Sequence, residues 1–231
     1  MKKRYQLILI ALVLVICTLC FVGCVGQNST EYDTIKLTKM NNYELLNKNA
    51  ENNQVVFIGD SIVELFPTYE LFATHHKIVY NRGISGDTSD KMLERLEKNA
   101  LNINPEVVCI LIGTNDIARD IEHSMIIDNI SKSIDKCKEN GVKRIIINGL
   151  LPVHKNIDKN MVGKRTNKEI KELNQKLSSL AVSKDVLFVD FSNALVDDEG
   201  NFDKELTYDG LHPNALGYFA MAKVLESLLV V

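Results

Sequence analysis

From residue 54 onward, short apolar runs alternate with longer stretches whose apolar positions recur at helical spacing. Residues 54–58, 77–80, 106–112, 144–148 and 186–190 are the short runs and read as strands. The run 106–112 (Glu-Val-Val-Cys-Ile-Leu-Ile) is apolar almost throughout, as a strand covered on both faces must be. Between them, the spacing predicts helices over 62–73 (broken at Pro67), 89–101 (capped by Thr88 or Ser89), 124–139, 164–181 and 214–229. Strands alternating with helices of that length build βαβ units, hence a parallel sheet with right-handed crossovers. The class is α/β.

Five strands fit a three-layer α/β/α sandwich with a flavodoxin-like, five-stranded parallel sheet. Ligands in such sheets bind beyond the carboxyl ends of the strands. Ser61, Gly83 and Asn115 each follow such an end, so one topological rule gathers them.

The amino terminus has a different texture. Lys2-Lys3-Arg4 precedes an apolar run over residues 7–22 and then Gly23-Cys24, the layout of an export signal. Phe21-Val22-Gly23-Cys24 resembles a bacterial lipobox, which implies a lipidated Cys24 as the new first residue. The other reading is an uncleaved anchor, although the run is short of the roughly 20 residues a span needs. Both keep the basic flank inside and the domain outside, at the bacterial cell surface. The expected organisation is a lipoprotein-type signal peptide over 1–23, a lipid-anchored tether and short segment over 24–53 with a helix near 43–49, and the α/β domain over 54–231.

Composition changes this picture little. The 231 residues carry 27 basic and 30 acidic side chains, and loss of Lys2, Lys3 and Arg4 with the leader makes the remainder more acidic. That balance leaves no footprint for nucleic acid. Cys17 and Cys20 belong to the leader, while Cys109 and Cys137 sit at spacings that match no zinc or redox motif and read as buried free thiols.

The chemistry lies at the element boundaries. Gly59-Asp60-Ser61 follows the first strand, and a serine where strand turns to helix has backbone N–H groups and a favourable helix end for an oxyanion. Taken alone, such a serine is as readily an N-cap. Asp209-Gly210-Leu211-His212-Pro213 lies just ahead of the last helix: one turn can join carboxylate and imidazole, and Pro213 holds His212 extended. An Asp-x-x-His pair can also ligate a metal, but no further ligands stand at suitable spacing. The Gly83 N–H and the Asn115 amide are candidate oxyanion donors, with Thr114 and Asp116 as buttresses. The charged stretch 164–176 reads as a solvated outer face, and His154 as a loop residue that could line the site.

In this order and spacing, Gly59-Asp60-Ser61, Gly83, Gly113-Thr114-Asn115-Asp116 and Asp209-x-x-His212 resemble the four blocks of the SGNH hydrolases, or GDSL-type esterases and lipases. The resemblance spans about residue 55 to the C-terminus, with Ile62 where the name-giving motif has Leu. It implies the sandwich fold, Ser61 as nucleophile, His212 as base, Asp209 as its orienting acid, and Ser61 N–H, Gly83 N–H and Asn115 as the oxyanion hole. Residues 81–87 resemble the platelet-activating-factor acetylhydrolase branch, which implies short acyl groups. The expectation is a cofactor-free, metal-free serine esterase acting on acyl esters, chiefly acetyl, of an extracellular glycan or small lipid. A catalytically silent binding lipoprotein and an O-acyltransferase on the same fold are the rival readings.

Overall fold

The computed structural model describes residue 31 and residues 33–230. The leader expected over 1–23, Cys24 and the first part of the tether lie outside the described residues. The chain divides into two units, Met1–Asn42 and Tyr43–Val231. In the first, residues 33–42 are helical. Among the described residues no helix is long and apolar enough to cross a membrane.

The second unit holds strands β1 (Val55–Gly59), β2 (Val79–Gly83), β3 (Val107–Leu111), β4 (Arg144–Asn148) and β5 (Leu187–Val189). All pair parallel, in the order β2-β1-β3-β4-β5. Its helices are α1 (Ser61–Glu64), α2 (Thr68–Leu71), α3 (Ser89–Asn99), α4 (Thr114–Ala118), α5 (His123–Glu139), α6 (Lys159–Val162), α7 (Asn167–Ser183), α8 (Ser192–Leu195) and α9 (Ala215–Leu225). Alternation along the strands sorts the core into two layers. Val56, Ile58, Val108, Ile110, Ile145 and Ile147 pack with α3, α5 and α7. Val55, Phe57, Cys109, Leu111 and Ile146 pack with α1 and α9 on the opposite face. The three-layer sandwich is the observed fold.

Three boundaries differ from the sequence expectation. β2 runs on through Asn81-Arg82-Gly83, because an edge strand needs no continuous apolar run. Its Arg82 is buried between the rings of Tyr43 and Tyr80, 5.1 and 5.2 Å from their centroids. The compact unit opens at Tyr43 rather than residue 54, since the Tyr43 hydroxyl donates to the Gly83 carbonyl at 2.7 Å and Asn47 Oδ1 accepts from Arg82 at 2.8 Å. The stretch 164–181 divides: α7 starts at Asn167, where the Thr166 hydroxyl caps it by accepting from Glu169 N–H at 3.2 Å. Cys109 and Cys137 are buried free thiols, their ionisation pushed upward by desolvation.

Candidate active site

At the carboxyl end of β1 the chain turns directly into α1. Asp60 caps that helix, its Oδ1 accepting the Ile62 N–H at 2.9 Å, so Ser61 becomes the first helical residue. From the other end of the sequence, the Tyr218 hydroxyl of α9 donates to the Ile62 carbonyl at 2.9 Å. This bond and the packing of Phe66 on Tyr218, 4.9 Å between centroids, seat α9 against α1. The segment leading into α9 thereby meets Ser61.

There the three polar side chains converge. Ser61 Oγ lies 2.9 Å from His212 Nε2, and His212 Nδ1 lies 2.7 Å from Asp209 Oδ2. The second carboxylate oxygen accepts the N–H groups of Leu211 at 2.9 Å and His212 at 2.7 Å. A carboxylate at Nδ1 holds the proton there, which leaves Nε2 to accept from the serine hydroxyl. The Thr207 hydroxyl donates to the His212 carbonyl at 2.6 Å and accepts from Gly210 N–H at 3.0 Å, closing the turn. Gly210 has φ +82°, and a Cβ there would sit 2.3 Å from the His154 carbonyl oxygen. Only glycine fits both demands. His154 thus borders the site through its backbone, with its N–H donating to the Gly210 carbonyl at 2.8 Å. Asp209 and His212 are buried, Ser61 is half-buried, and the exposed Tyr208 ring stacks on the imidazole at 5.9 Å and 13°.

The oxyanion donors require one correction. The Gly83 N–H already donates to Asn81 Oδ1 at 2.9 Å, and Gly83 is buried so tightly that a Cβ there would come within 2.1 Å of Glu64 N. Its role is close packing of β2 against α1. The half-buried Gly86, at φ +71°, stands where the same loop reaches Asn115: its carbonyl accepts from Arg119 at 3.0 Å, and Asn115 Nδ2 donates to the next carbonyl, Asp87, at 3.0 Å. Buried Arg95 fastens this loop to β1, donating to Asp87 Oδ2 at 2.7 Å, the Arg82 carbonyl at 2.8 Å and the Gly59 carbonyl at 2.9 Å. Asn115 occupies the first turn of α4. Asp116 receives the Ser89 hydroxyl at 2.6 Å, and the Thr114 hydroxyl accepts from Arg165 at 2.9 Å, so both buttress the turn as expected.

A serine, a base with an oriented tautomer and a nearby set of amide donors can carry out acyl transfer through a tetrahedral intermediate. The comparisons with known proteins agree. The model of the GDSL-like lipase/acylhydrolase family matches residues 57–220. The chain belongs to this family, the SGNH hydrolases. It is therefore a carboxylic ester hydrolase. Platelet-activating factor acetylhydrolase IB subunit alpha1 of Rattus norvegicus is 32% identical over 185 residues, covering 77% of this chain and 75% of the relative, and the Homo sapiens protein matches to the same extent. Among solved structures, a platelet activating factor protein from Streptococcus pneumonia superposes with a TM-score of 0.84 at 31% identity, over 90% of this chain and 98% of that one. A GDSL-like lipase from Bacteroides thetaiotaomicron gives 0.73 at 26% identity, over 82% and 96%.

Several residues of this SGNH hydrolase site escaped the sequence reading. Arg165 is buried rather than on a solvated face, and its Nη2 donates to Asn115 Oδ1 at 3.0 Å. The capping pattern Thr166-x-x-Glu169 would have placed it before the helix. Asp60 is fully buried and its Oδ2 has no hydrogen-bond partner; burial pushes its ionisation up to about 7, against the pull of the Ile62 N–H and Arg165. The remaining histidines stay outside: His75 and His76 stack on each other, and His123 lies 3.5 Å from Glu169. Among the described residues no group of three or more His, Cys, Asp and Glu is placed to hold a metal ion.

Proposed function

We propose that this esterase removes short acyl groups, acetyl above all, from a carbohydrate or small lipid outside the cell. Ser61 attacks the ester carbonyl as His212 Nε2 takes its proton, and the tetrahedral oxyanion is received by the N–H groups of Ser61 and Gly86 and by Asn115 Nδ2. Collapse expels the alcohol, protonated by the imidazolium that Asp209 stabilises, and leaves Ser61 acylated. Water, deprotonated by His212, repeats the sequence and releases the acid. The observation that carries this reading is the continuous chain from Ser61 Oγ through His212 to Asp209, with both contacts under 3 Å.

Acetyl preference is supported by the 32% identity to an enzyme named for acetyl hydrolysis. Acetylxylan esterase from Geobacillus stearothermophilus shares the fold at a TM-score of 0.61 and 21% identity, which makes an acetylated glycan compatible with this scaffold. A p-nitrophenyl ester series tests acyl length: kcat/KM is expected to be highest for acetate and to fall as the chain lengthens. A rise toward long-chain esters would contradict the short-acyl reading.

The leader and Cys24 make this a surface enzyme, suited to a substrate too large to import. Export with lipidation predicts that the native protein starts at Cys24 and carries a diacylglyceryl adduct in its intact mass. An unmodified chain that keeps residues 1–23 would instead support the uncleaved anchor.

A further inference from the structure

Arg165 leaves the chain between α6 and α7, yet the residue is only 5% exposed. Nε donates to the Thr114 carbonyl and hydroxyl, each at 2.9 Å, and Nη2 to Asn115 Oδ1 at 3.0 Å. Nη1 donates to the carbonyls of Met161 at 3.2 Å and Val162 at 3.1 Å. The planar fork is thus committed on one edge to the Thr114–Asn115 turn and on the other to the carboxyl end of α6. Among the described residues, none of these donors goes to a carboxylate.

We infer that Arg165 is the positioning residue of the oxyanion hole, holding and polarising the Asn115 amide so that its Nδ2 faces the reacting carbonyl oxygen. This rests on the esterase reading of the site. Three physical points carry it. A side-chain amide whose oxygen is held by a cation must present its NH2 to the other side, and Asn115 Nδ2 does reach the Gly86–Asp87 edge at Asp87 O. A rigid bidentate donor fixes the plane of that turn in a way a single flexible ammonium does not. Withdrawal of electron density through Oδ1 makes Nδ2–H a stronger donor to a developing negative charge, and donors aimed in advance at that charge dominate such catalysis.

The charge itself also remains in play. Asp60 and Asp209 act on Arg165 only through space, with Arg119 opposing them. A buried guanidinium without a directly bonded carboxylate is costly to maintain. Held against Asn115 Oδ1 with no directly bonded counter-ion, that charge acts on the oxyanion through the Asn115 amide it polarises.

The test is a double-mutant cycle on the full chain with p-nitrophenyl acetate, thermal melting being checked first. Arg165→Met is expected to lower kcat about 10²-fold with KM within about threefold, and Asn115→Ala to lose a similar factor. Acting through Asn115, Arg165→Met should add little to the Asn115→Ala variant, so the double variant falls no further than about the worse single one. Arg165→Lys keeps the charge without the fork and should recover only part, about tenfold below the unmodified enzyme. Losses that multiply in the double variant, or full kcat in either Arg165 variant, overturn the assignment. If Arg165→Met does not fold, the same cycle is read with Arg165→Lys, on the same criterion. Failure of the underlying esterase reading is a separate result: undiminished hydrolysis by Ser61→Ala. Full activity of Arg165→Met beside an inactive Ser61→Ala overturns the Arg165 inference alone.

Discussion

Ser61→Ala should reduce kcat/KM for p-nitrophenyl acetate by about 10³-fold or more while leaving the fold intact. That factor corresponds to about 4 kcal/mol of lost transition-state stabilisation. The substitution removes one oxygen from a half-buried position and nothing that holds the fold. The α1 cap is made by Asp60, and α9 is tied to the Ile62 carbonyl rather than to Ser61. The melting temperature should therefore stay close to that of the unmodified protein. Residual activity comes from the amide donors acting on a water-attacked carbonyl. Equal turnover by variant and unmodified enzyme would end the assignment of Ser61.

Asp209→Asn is expected to cost about 10⁴-fold in kcat with little change in KM. One proton on the imidazole decides the outcome. Asn Oδ1 can still accept the N–H groups of Leu211 and His212, so the turn survives. Its NH2 then faces His212 Nδ1 at the place of Asp209 Oδ2, 2.7 Å away. Two N–H groups cannot share that contact, so the imidazole shifts its proton to Nε2. Nε2 then has no lone pair for the Ser61 hydroxyl. The stabilisation of the imidazolium is lost as well. Steady-state kinetics and a melting curve on the same preparation check this, and a loss below about tenfold would show that Asp209 does not orient the base.

Much of this site is local in sequence and was legible there. Asp209 and His212 lie within one turn, and Pro213 disfavours the helical region for His212. Strands β1 and β3 are covered on both faces and so carry unbroken apolar runs. Alternation of those runs with helical spacing was enough for the parallel sheet and the sandwich. What escaped depends on contacts between distant segments. The choice between Gly83 and Gly86 turns on Asn81 Oδ1 taking the Gly83 amide and on Glu64 N pressing against Gly83. Arg165 reads as one more charge in a charged stretch until the Thr114–Asn115 turn is seen beneath it. Tyr43 and Asn47 lie in a segment without periodicity, and only Arg82 and Gly83 explain why the compact unit begins there. Polar anchoring across the sheet has no periodic signature, whereas burial of strands does.

One measurement bears most directly on the mechanism: peptide mass mapping of enzyme acid-quenched during turnover of p-nitrophenyl acetate. An acetyl group is expected on the hydroxyl of Ser61, enriched in Asp209→Asn or His212→Ala only if deacylation slows more than acylation, and absent in Ser61→Ala. An acetyl adduct on another residue that disappears at the rate of turnover, with Ser61 unmodified, would contradict it.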